Sequence, residues 1–283
     1  MTVLDAIFER VKMRPGRVVF PEWQEPRIAQ ARARLSEQCL CTPVPVDPVD
    51  DDLIETLVQA RGIKPVLARR MLDKPLIRAA AMVAAGRADV MVAGAEAPTR
   101  RVIEAAGLAI GLADGISAPS SFFLMVFPDG REMIFADCAV TVAPSAQELT
   151  GIAQASAVSG CALLGDARVA LLSYSTGTSG AGGSVDRVRT AAELTGFAGP
   201  VQADAALNAG IARLKGVEAV DANVLVFPSL DAGNIAYKLA QELAGAQAVG
   251  PCLQGFRQPV CDLSRGTTVD DIVAATAVTL ALV

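Results

Sequence analysis

Pro259-Val260-Cys261-Asp262-Leu263-Ser264-Arg265-Gly266-Thr267-Thr268-Val269-Asp270-Asp271-Ile272 is the stretch on which the reading of this chain turns. It sets a hydroxyl, a guanidinium, a glycine and two carboxylates within the eight residues 264–271, and an apolar helix-like run, 272–283, follows at once. Thr268-Val269-Asp270-Asp271 fits a capping box, a hydroxyl with an acid three residues on. Capping accounts for the acids. It does not account for Ser264-Arg265-Gly266, a donor and a cation just ahead of the positive end of a helix, where an anion is favoured. The alternative for Arg265 is an ion pair with Asp262 or Asp271.

Outward from this stretch, strand-like and helix-like runs alternate through the chain. Residues 17–21 read as a buried strand and 25–38 as a helix with Pro26 in its first turn. A strand is expected at 40–46, then an acidic, proline-rich loop at 42–52. Helices are expected at 52–61 and 64–86, the second broken at Pro75, then a strand at 88–93 and a helix at 99–111. Residues 120–127 and 131–139 read as a strand pair joined by Pro128-Asp129-Gly130. A helix with the capping box Ser145-x-x-Glu148 follows over 145–159. Strands at 168–174, 201–203, 223–227 and 246–249 alternate with helices at 186–196, 205–214 and 234–243. The pattern predicts an α/β protein with parallel connections, and the hairpin suggests a second domain.

The composition agrees. The 283 residues are 52% hydrophobic and only 4% aromatic, as expected of helices packed on buried strands. A net charge of −5 argues against a nucleic-acid partner. With no histidine, imidazole catalysis and histidine metal sites are excluded, so proton transfer falls to carboxylates, Lys, Tyr, Cys or water. The six cysteines lack metal-type spacing and read as thiols, mostly buried, in a reducing compartment. The first 17 residues read as an amphipathic helix rather than a secretory signal, and no run suits a membrane span. A soluble cytoplasmic protein is expected.

Three further segments offer chemistry. Residues 172–184 (Leu-Ser-Tyr-Ser-Thr-Gly-Thr-Ser-Gly-Ala-Gly-Gly-Ser) lie between a strand and a helix, with hydroxyls at Ser175, Thr176, Thr178 and Ser179 among glycines. That is the composition of a phosphate cradle, though not of a Walker loop; the alternative is a flexible surface loop. In residues 223–238 a strand breaks at Pro228 and polar groups gather after it. There Asn234 is the expected helix cap, Gly233 the expected positive-φ residue, and Tyr237 and Lys238 are further candidates. Arg100 and Arg101 open a helix whose dipole they oppose, a conflict that a bound anion relieves; the alternative is pairing with Glu96, Glu104 or a neighbouring chain.

Taken together, Phe20-Pro21-Glu22, Gly86-Arg87-Ala88-Asp89, Phe135-Ala136-Asp137-Cys138, Leu172-Ser173-Tyr174-Ser175-Thr176, Gln202-x-Asp204-Ala205-Ala206, residues 223–238, Gly250-Pro251-x-x-Gln254-Gly255 and Asp262-Leu263-Ser264-Arg265-Gly266 resemble, in order and over almost the whole chain, the phosphate acetyltransferases and phosphate butyryltransferases. The resemblance implies two α/β/α domains flanking a cleft, in the isocitrate/isopropylmalate dehydrogenase-like group. Residues 1–113 with 252–283 would form the first domain and 114–251 an inserted second. It implies a homodimer that moves an acetyl group between phosphate and the thiol of coenzyme A, with coenzyme A as substrate and no metal or tightly bound cofactor. It places Ser264 and Arg265 at the acyl phosphate and makes Asp271 the base for the thiol. Three departures stand out. Residues 39–60 are shorter than usual in the family, Thr267 stands where a cysteine is common, and Glu104 stands where the family has an arginine, with Arg100 or Arg101 one turn earlier.

The chemistry sets one difficulty. A thiol of pKa ~8.5 giving its proton to an aspartate of pKa ~3.9 is uphill by roughly 6 kcal/mol, so transfer concerted with attack, helped by Arg265 acidifying the thiol, is expected. Rival readings are a butyryltransferase, which differs in pocket size, and a non-catalytic acyl-CoA sensor. An oxidoreductase is disfavoured because no GxGxxG follows a strand.

Overall fold

The structure, a computed structural model, describes residues 2–283. The chain forms two compact units, one of the residues up to Pro119 together with Val249–Val283, the other Ser120–Ala248. In chain order the first unit holds α1 (Val3–Met13), β1 (Gly16–Val19), α2 (Pro26–Glu37), β2 (Cys41–Val44), α3 (Asp51–Arg61), α4 (Pro65–Leu72), α5 (Pro75–Ala84), β3 (Val90–Ala93) and α6 (Thr99–Ala109). The second holds β4 (Ser120–Val126), β5 (Glu132–Ala136), α7 (Ala146–Leu164), β6 (Val169–Leu172), α8 (Gly183–Thr195), β7 (Ala198–Val201), α9 (Ala203–Leu207), α10 (Ala209–Leu214), β8 (Val224–Val226) and α11 (Leu230–Ala244). The chain returns to the first unit through β9 (Gln247–Gln254), β10 (Val260–Asp262) and α12 (Val269–Leu280).

In the first unit the strand order is β2-β1-β3-β10-β9, with β9 antiparallel to β10 and the other pairs parallel. In the second it is β4-β5-β8-β6-β7, where only the β4/β5 hairpin is antiparallel. The sheets are therefore mixed rather than parallel throughout. Strands β3 and β8 are buried along their whole length, as expected of strands covered on both faces. Helix α12 is buried at every position from Ile272 to Leu280 because it packs on α1 and α2 as well as on the strands beneath.

Local signals explain most boundaries. Thr2 with Asp5, Ser145 with Glu148 and Thr268 with Asp271 all form capping boxes. Prolines at 26, 65 and 75 sit in first turns, and Pro75 divides the expected helix 64–86 into α4 and α5. The acidic loop before α3 is held by one guanidinium: Arg87 reaches Asp47 at 3.2 Å, Asp50 at 2.7 Å and Asp52 at 2.6 Å.

Three expectations are corrected. The helix expected at 234–243 starts four residues earlier, capped by Ser229, whose oxygen accepts from the Ala232 amide. Asn234 is therefore inside α11, and Gly233 has ordinary helical backbone. The run 205–214 divides at Asn208, whose side chain caps α10. The short strand expected at 246–249 extends to Gln254 and pairs with β10, with Cys252 opposite Cys261.

Candidate functional site

In the first unit, β10 ends at Asp262 and the chain turns through 263–268 into α12. Ser264, Arg265 and Gly266 are exposed, and Thr267 is buried. Ser264 Oγ accepts from the Gly266 amide at 3.4 Å, and its carbonyl accepts from the Thr267 amide at 3.0 Å. Asp271 Oδ2 accepts from the Thr268 amide at 3.0 Å and from its hydroxyl at 2.7 Å. Asp270 pairs with Arg34 of α2. Arg265 is ion-paired with neither Asp262, which accepts from Thr99, nor Asp271, and its exposed guanidinium has no ion-pair partner among the described residues.

Residues distant in sequence shape this turn. Arg27, at the start of α2, donates from Nη1 to the carbonyls of Arg265 (2.8 Å) and Thr267 (2.9 Å) and from Nη2 to that of Ala95 (3.1 Å). Its Nε donates to buried Glu25 at 2.6 Å. Burial pushes the Glu25 carboxyl up, but Arg27 and the Ile28 amide outweigh this and hold it below the usual range. Glu22 accepts from four consecutive amides: Gly94 and Ala95 at 2.9 Å each, Glu96 at 3.0 Å and Ala97 at 2.7 Å. The nest ahead of α6 thus already holds a carboxylate.

Asp262 is buried at 1% exposure, and Thr99 Oγ1 donates to its Oδ2 at 2.6 Å. Its Oδ1 has no partner. It lies against Gly94, where φ is +105° and an added Cβ would stand 2.6 Å from that oxygen, so only glycine fits. Burial pushes the Asp262 carboxyl up to about 7, with the Thr99 hydrogen bond opposing and the Glu22 charge adding.

Arg100 and Arg101 resolve their conflict with the α6 dipole through Glu104 on the next turn, at 2.8 Å each. The two arginines hold that carboxyl below its usual range. A cavity of about 630 Å³ in this unit is lined by Pro21, Glu22, Leu76, Arg101, Glu104 and Leu108 among others; Arg265 and Asp271 are not in its walls.

In the second unit, the loop between β6 and α8 turns much of its chemistry inward. Ser175 and Thr176 are buried. Ser175 Oγ accepts from the Gly180 amide (2.8 Å) and lies 3.3 Å from Ser179 Oγ, which accepts from the Thr176 amide (3.0 Å). Thr176 Oγ1 donates to Gln202 Oε1 at 3.2 Å and accepts from its amide at 3.1 Å. Thr178 is exposed, and α8 follows Gly182 at its N-cap, which supplies no side-chain cap. The loop is thus internally braced, unlike a flexible linker.

Asn234 Nδ2 donates to the Cys138 carbonyl at 3.1 Å. Tyr237 stacks on Phe123 with ring centroids 4.2 Å apart, and Lys238 Nζ lies 5.0 Å from the Tyr237 ring. Asp137, unread in the sequence beyond its motif, is buried and accepts from Ser121, from the amides of Ala139 (3.1 Å) and Val140 (3.2 Å), and from that of Thr141 (2.8 Å).

Cys41, Cys138, Cys252 and Cys261 are buried thiols, while Cys39 and Cys161 are exposed. Burial pushes the Cys41 thiol up to about 12. Among the described residues no group of three or more acidic or cysteine side chains is arranged to hold a metal, and no helix is long and apolar enough to cross a membrane.

The fold is that of the two-domain α/β phosphotransacylases. It superposes on a phosphotransacetylase from Streptococcus pyogenes with a TM-score of 0.92 at 33% identity, over 99% of this chain and 97% of that one. A branched-chain phosphotransacylase from Enterococcus faecalis V583 shares the fold alone, at 0.73 and 18%, over 94% of this chain and 98% of that one. The model of the phosphate acetyl/butaryl transferase family matches residues 46–280, and the chain belongs to that family. A phosphate acetyltransferase of Paracoccus denitrificans is 39% identical over 99% of this chain and 98% of its own length. That of Pseudomonas aeruginosa is 37% identical over 96% of this chain, which spans only 44% of that longer protein. The Paracoccus alignment runs over 313 positions against the 283 residues of this chain, so some of its positions have no counterpart here.

Proposed function

We propose that the chain catalyses reversible acetyl transfer between acetyl phosphate and the thiol of coenzyme A. The observation that carries this reading is the exposed Ser264-Arg265-Gly266 turn, its guanidinium without an ion-pair partner among the described residues, at the capped start of α12. It occurs in a chain aligned end to end with a phosphate acetyltransferase.

In the proposed reaction the sulfur of coenzyme A attacks the carbonyl carbon of acetyl phosphate while its proton passes to Asp271. Both Thr268 donations fall on Oδ2, which leaves Oδ1 to take that proton. The carbonyl electrons move onto oxygen, where Ser264 or a nearby amide stabilises the oxyanion. Collapse restores the carbonyl and breaks the carbon–oxygen bond to phosphate; the leaving phosphate takes up the proton held on Asp271, directly or through water, so that hydrogen phosphate and acetyl-CoA are released and the carboxylate is restored. Donors proposed for the phosphoryl oxygens in the first unit are Arg265 and one of Arg100 and Arg101; in the second unit the loop carrying Ser175, Thr176, Thr178 and Ser179 is the phosphate-binding candidate by its composition. Asn234, Tyr237 and Lys238, in α11 after the end of β8, are proposed for substrate binding from that position. No metal takes part, coenzyme A is a substrate, and a cytoplasmic homodimer belongs to the same reading.

The test is formation of the thioester, followed by its absorbance, with coenzyme A and either acetyl or butyryl phosphate. Faster turnover of acetyl phosphate is expected. Absence of thioester with both, in a protein that coenzyme A still protects against heat, would leave a sensor in place of an enzyme.

A further inference from the structure

We infer that Arg27 is a positioning residue that sets the Ser264–Asp271 turn for phosphate, an inference that rests on the proposed function. The leading part of the turn is lightly held from outside: the Leu263 amide donates to Ala93 at its entry and Arg34 pairs with Asp270 at its exit. Its three leading residues are exposed, nothing lies within 4 Å of the position a Gly266 side chain would take, and the Gly266–Ser264 hydrogen bond is long at 3.4 Å. The side-chain donor from another helix that reaches the backbone carbonyls of residues 265 and 267 is the Arg27 guanidinium.

The grip acts on two peptide planes. In a trans peptide the carbonyl and the amide hydrogen of the same plane point in opposite directions. The Arg265 carbonyl accepts from Arg27 at 2.8 Å, and the amide across that plane, Gly266, donates to Ser264 Oγ. The Thr267 carbonyl accepts from Arg27 at 2.9 Å, and the amide across that plane, Thr268, donates to Asp271 Oδ2 at 3.0 Å. Arg27 thus holds one side of each plane, and two of the three candidate catalytic side chains hold the other. Rotation of either plane would release Ser264 or Asp271 together with the Arg265 backbone.

Only a fork does this. Nη1 spans both carbonyls, Nη2 reaches Ala95 in the loop ahead of α6, and Nε is held by Glu25, whose second oxygen accepts from the Ile28 amide at 2.8 Å. The guanidinium therefore links three segments in a set plane, which a lysine ammonium, a single point with rotating donors, does not reproduce.

The experiment uses the full chain with Arg27→Met, Arg27→Lys and, as a control, Arg34→Ala. Arg34 pairs with Asp270 at the same helix end but touches no carbonyl of the turn in the structure. Two readouts are taken: the kinetic constants for acetyl phosphate and for coenzyme A, and binding of inorganic phosphate by calorimetry. A loosened turn is expected to raise KM for acetyl phosphate and the Kd for phosphate by roughly ten- to a hundred-fold. KM for coenzyme A should change little, Arg27→Lys should rescue weakly, and Arg34→Ala should match the parent. Full rescue by lysine would make the role one of charge alone and overturn the inference. Unchanged phosphate binding in folded Arg27→Lys, an equal loss in Arg34→Ala, or no phosphate binding by the parent would also overturn it. A parent that binds phosphate through Arg27 yet forms no thioester would refute acetyl transfer and leave the positioning role standing.

Discussion

Replacing Asp262 by asparagine should stabilise the first unit at high pH and lose that advantage at low pH. The carboxyl is buried at the end of β10, one oxygen bonded to Thr99 and the other without a partner. Burial, opposed by the Thr99 hydrogen bond and reinforced by Glu22, raises it from an ordinary 3.8 to about 7. Between these values the folded chain keeps a proton that the unfolded chain gives up. Stability from this group is thus fully present below about pH 4 and is lost as pH rises through 7. At about 1.4 kcal/mol per unit, the ceiling is about 4 kcal/mol. Asparagine can accept from Thr99 through its carbonyl and carries no charge at any pH, so the other titrating groups cancel in the difference between the two proteins. Urea unfolding from pH 5 to pH 8 can be followed through Trp23, the single tryptophan, which lies in the same unit under the Arg32 guanidinium at 3.3 Å. The stability of the variant minus that of the parent should climb by a few kcal/mol across that range. A flat difference would mean that Asp262 titrates normally and that its orphan oxygen is solvated.

Gly233→Ala should destabilise the second unit by about 1–3 kcal/mol in thermal unfolding, because its Cβ would stand 2.4 Å from the Asp137 carbonyl oxygen and 3.0 Å from Cys138 Sγ; an unchanged melting temperature would contradict this close packing. Asp271→Asn should lower thioester formation by roughly 10²- to 10⁴-fold, while an amide oxygen still accepts from Thr268 and stability changes by only about 0.5 kcal/mol. Near-full turnover of the asparagine variant at neutral pH would remove Asp271 from the role of base.

What could be read in advance was local. The capping boxes at Ser145 and Thr268 and the proline at 75 act within one turn of chain, and the structure has each where the residues place it. The cap of α11 was misread because Gly233 looks like a punctuation mark. Its smallness serves the Asp137 carbonyl, some 96 positions earlier in the chain, and Asn234 donates to Cys138 nearby. Strand β10 has three residues, too few for periodicity to show, and its parallel partner β3 lies far earlier in the chain, with Val260 opposite Met91. The same distance hid the supports of the turn. Glu22 stands in a quoted motif, yet the four amides it meets lie 72 to 75 residues away, and Arg27 meets carbonyls 238 and 240 residues on. The conflict between two arginines and a helix dipole was legible, and so was Glu104 as one way of settling it.

The electrostatics of the Ser264–Asp271 turn explain why an anion would prefer Arg265 to the arginine pair that opens α6. A helix N-terminus and two nearby guanidinium groups would repel one another if all were left bare. Here the charges are answered one by one: Arg27 by Glu25 at 2.6 Å, Arg34 by Asp270, and the Asp271 amide in the first turn of α12 by the Thr268 hydroxyl. Arg265 has no such answer within the turn. An incoming phosphoryl group therefore meets one uncompensated cation on a braced backbone, and neutralising it breaks no existing ion pair. At Arg100 and Arg101, by contrast, the same group must compete with Glu104, already at 2.8 Å from each. The free cation, more than the sum of positive charge, is what makes 264–266 the stronger anion-binding candidate of the two.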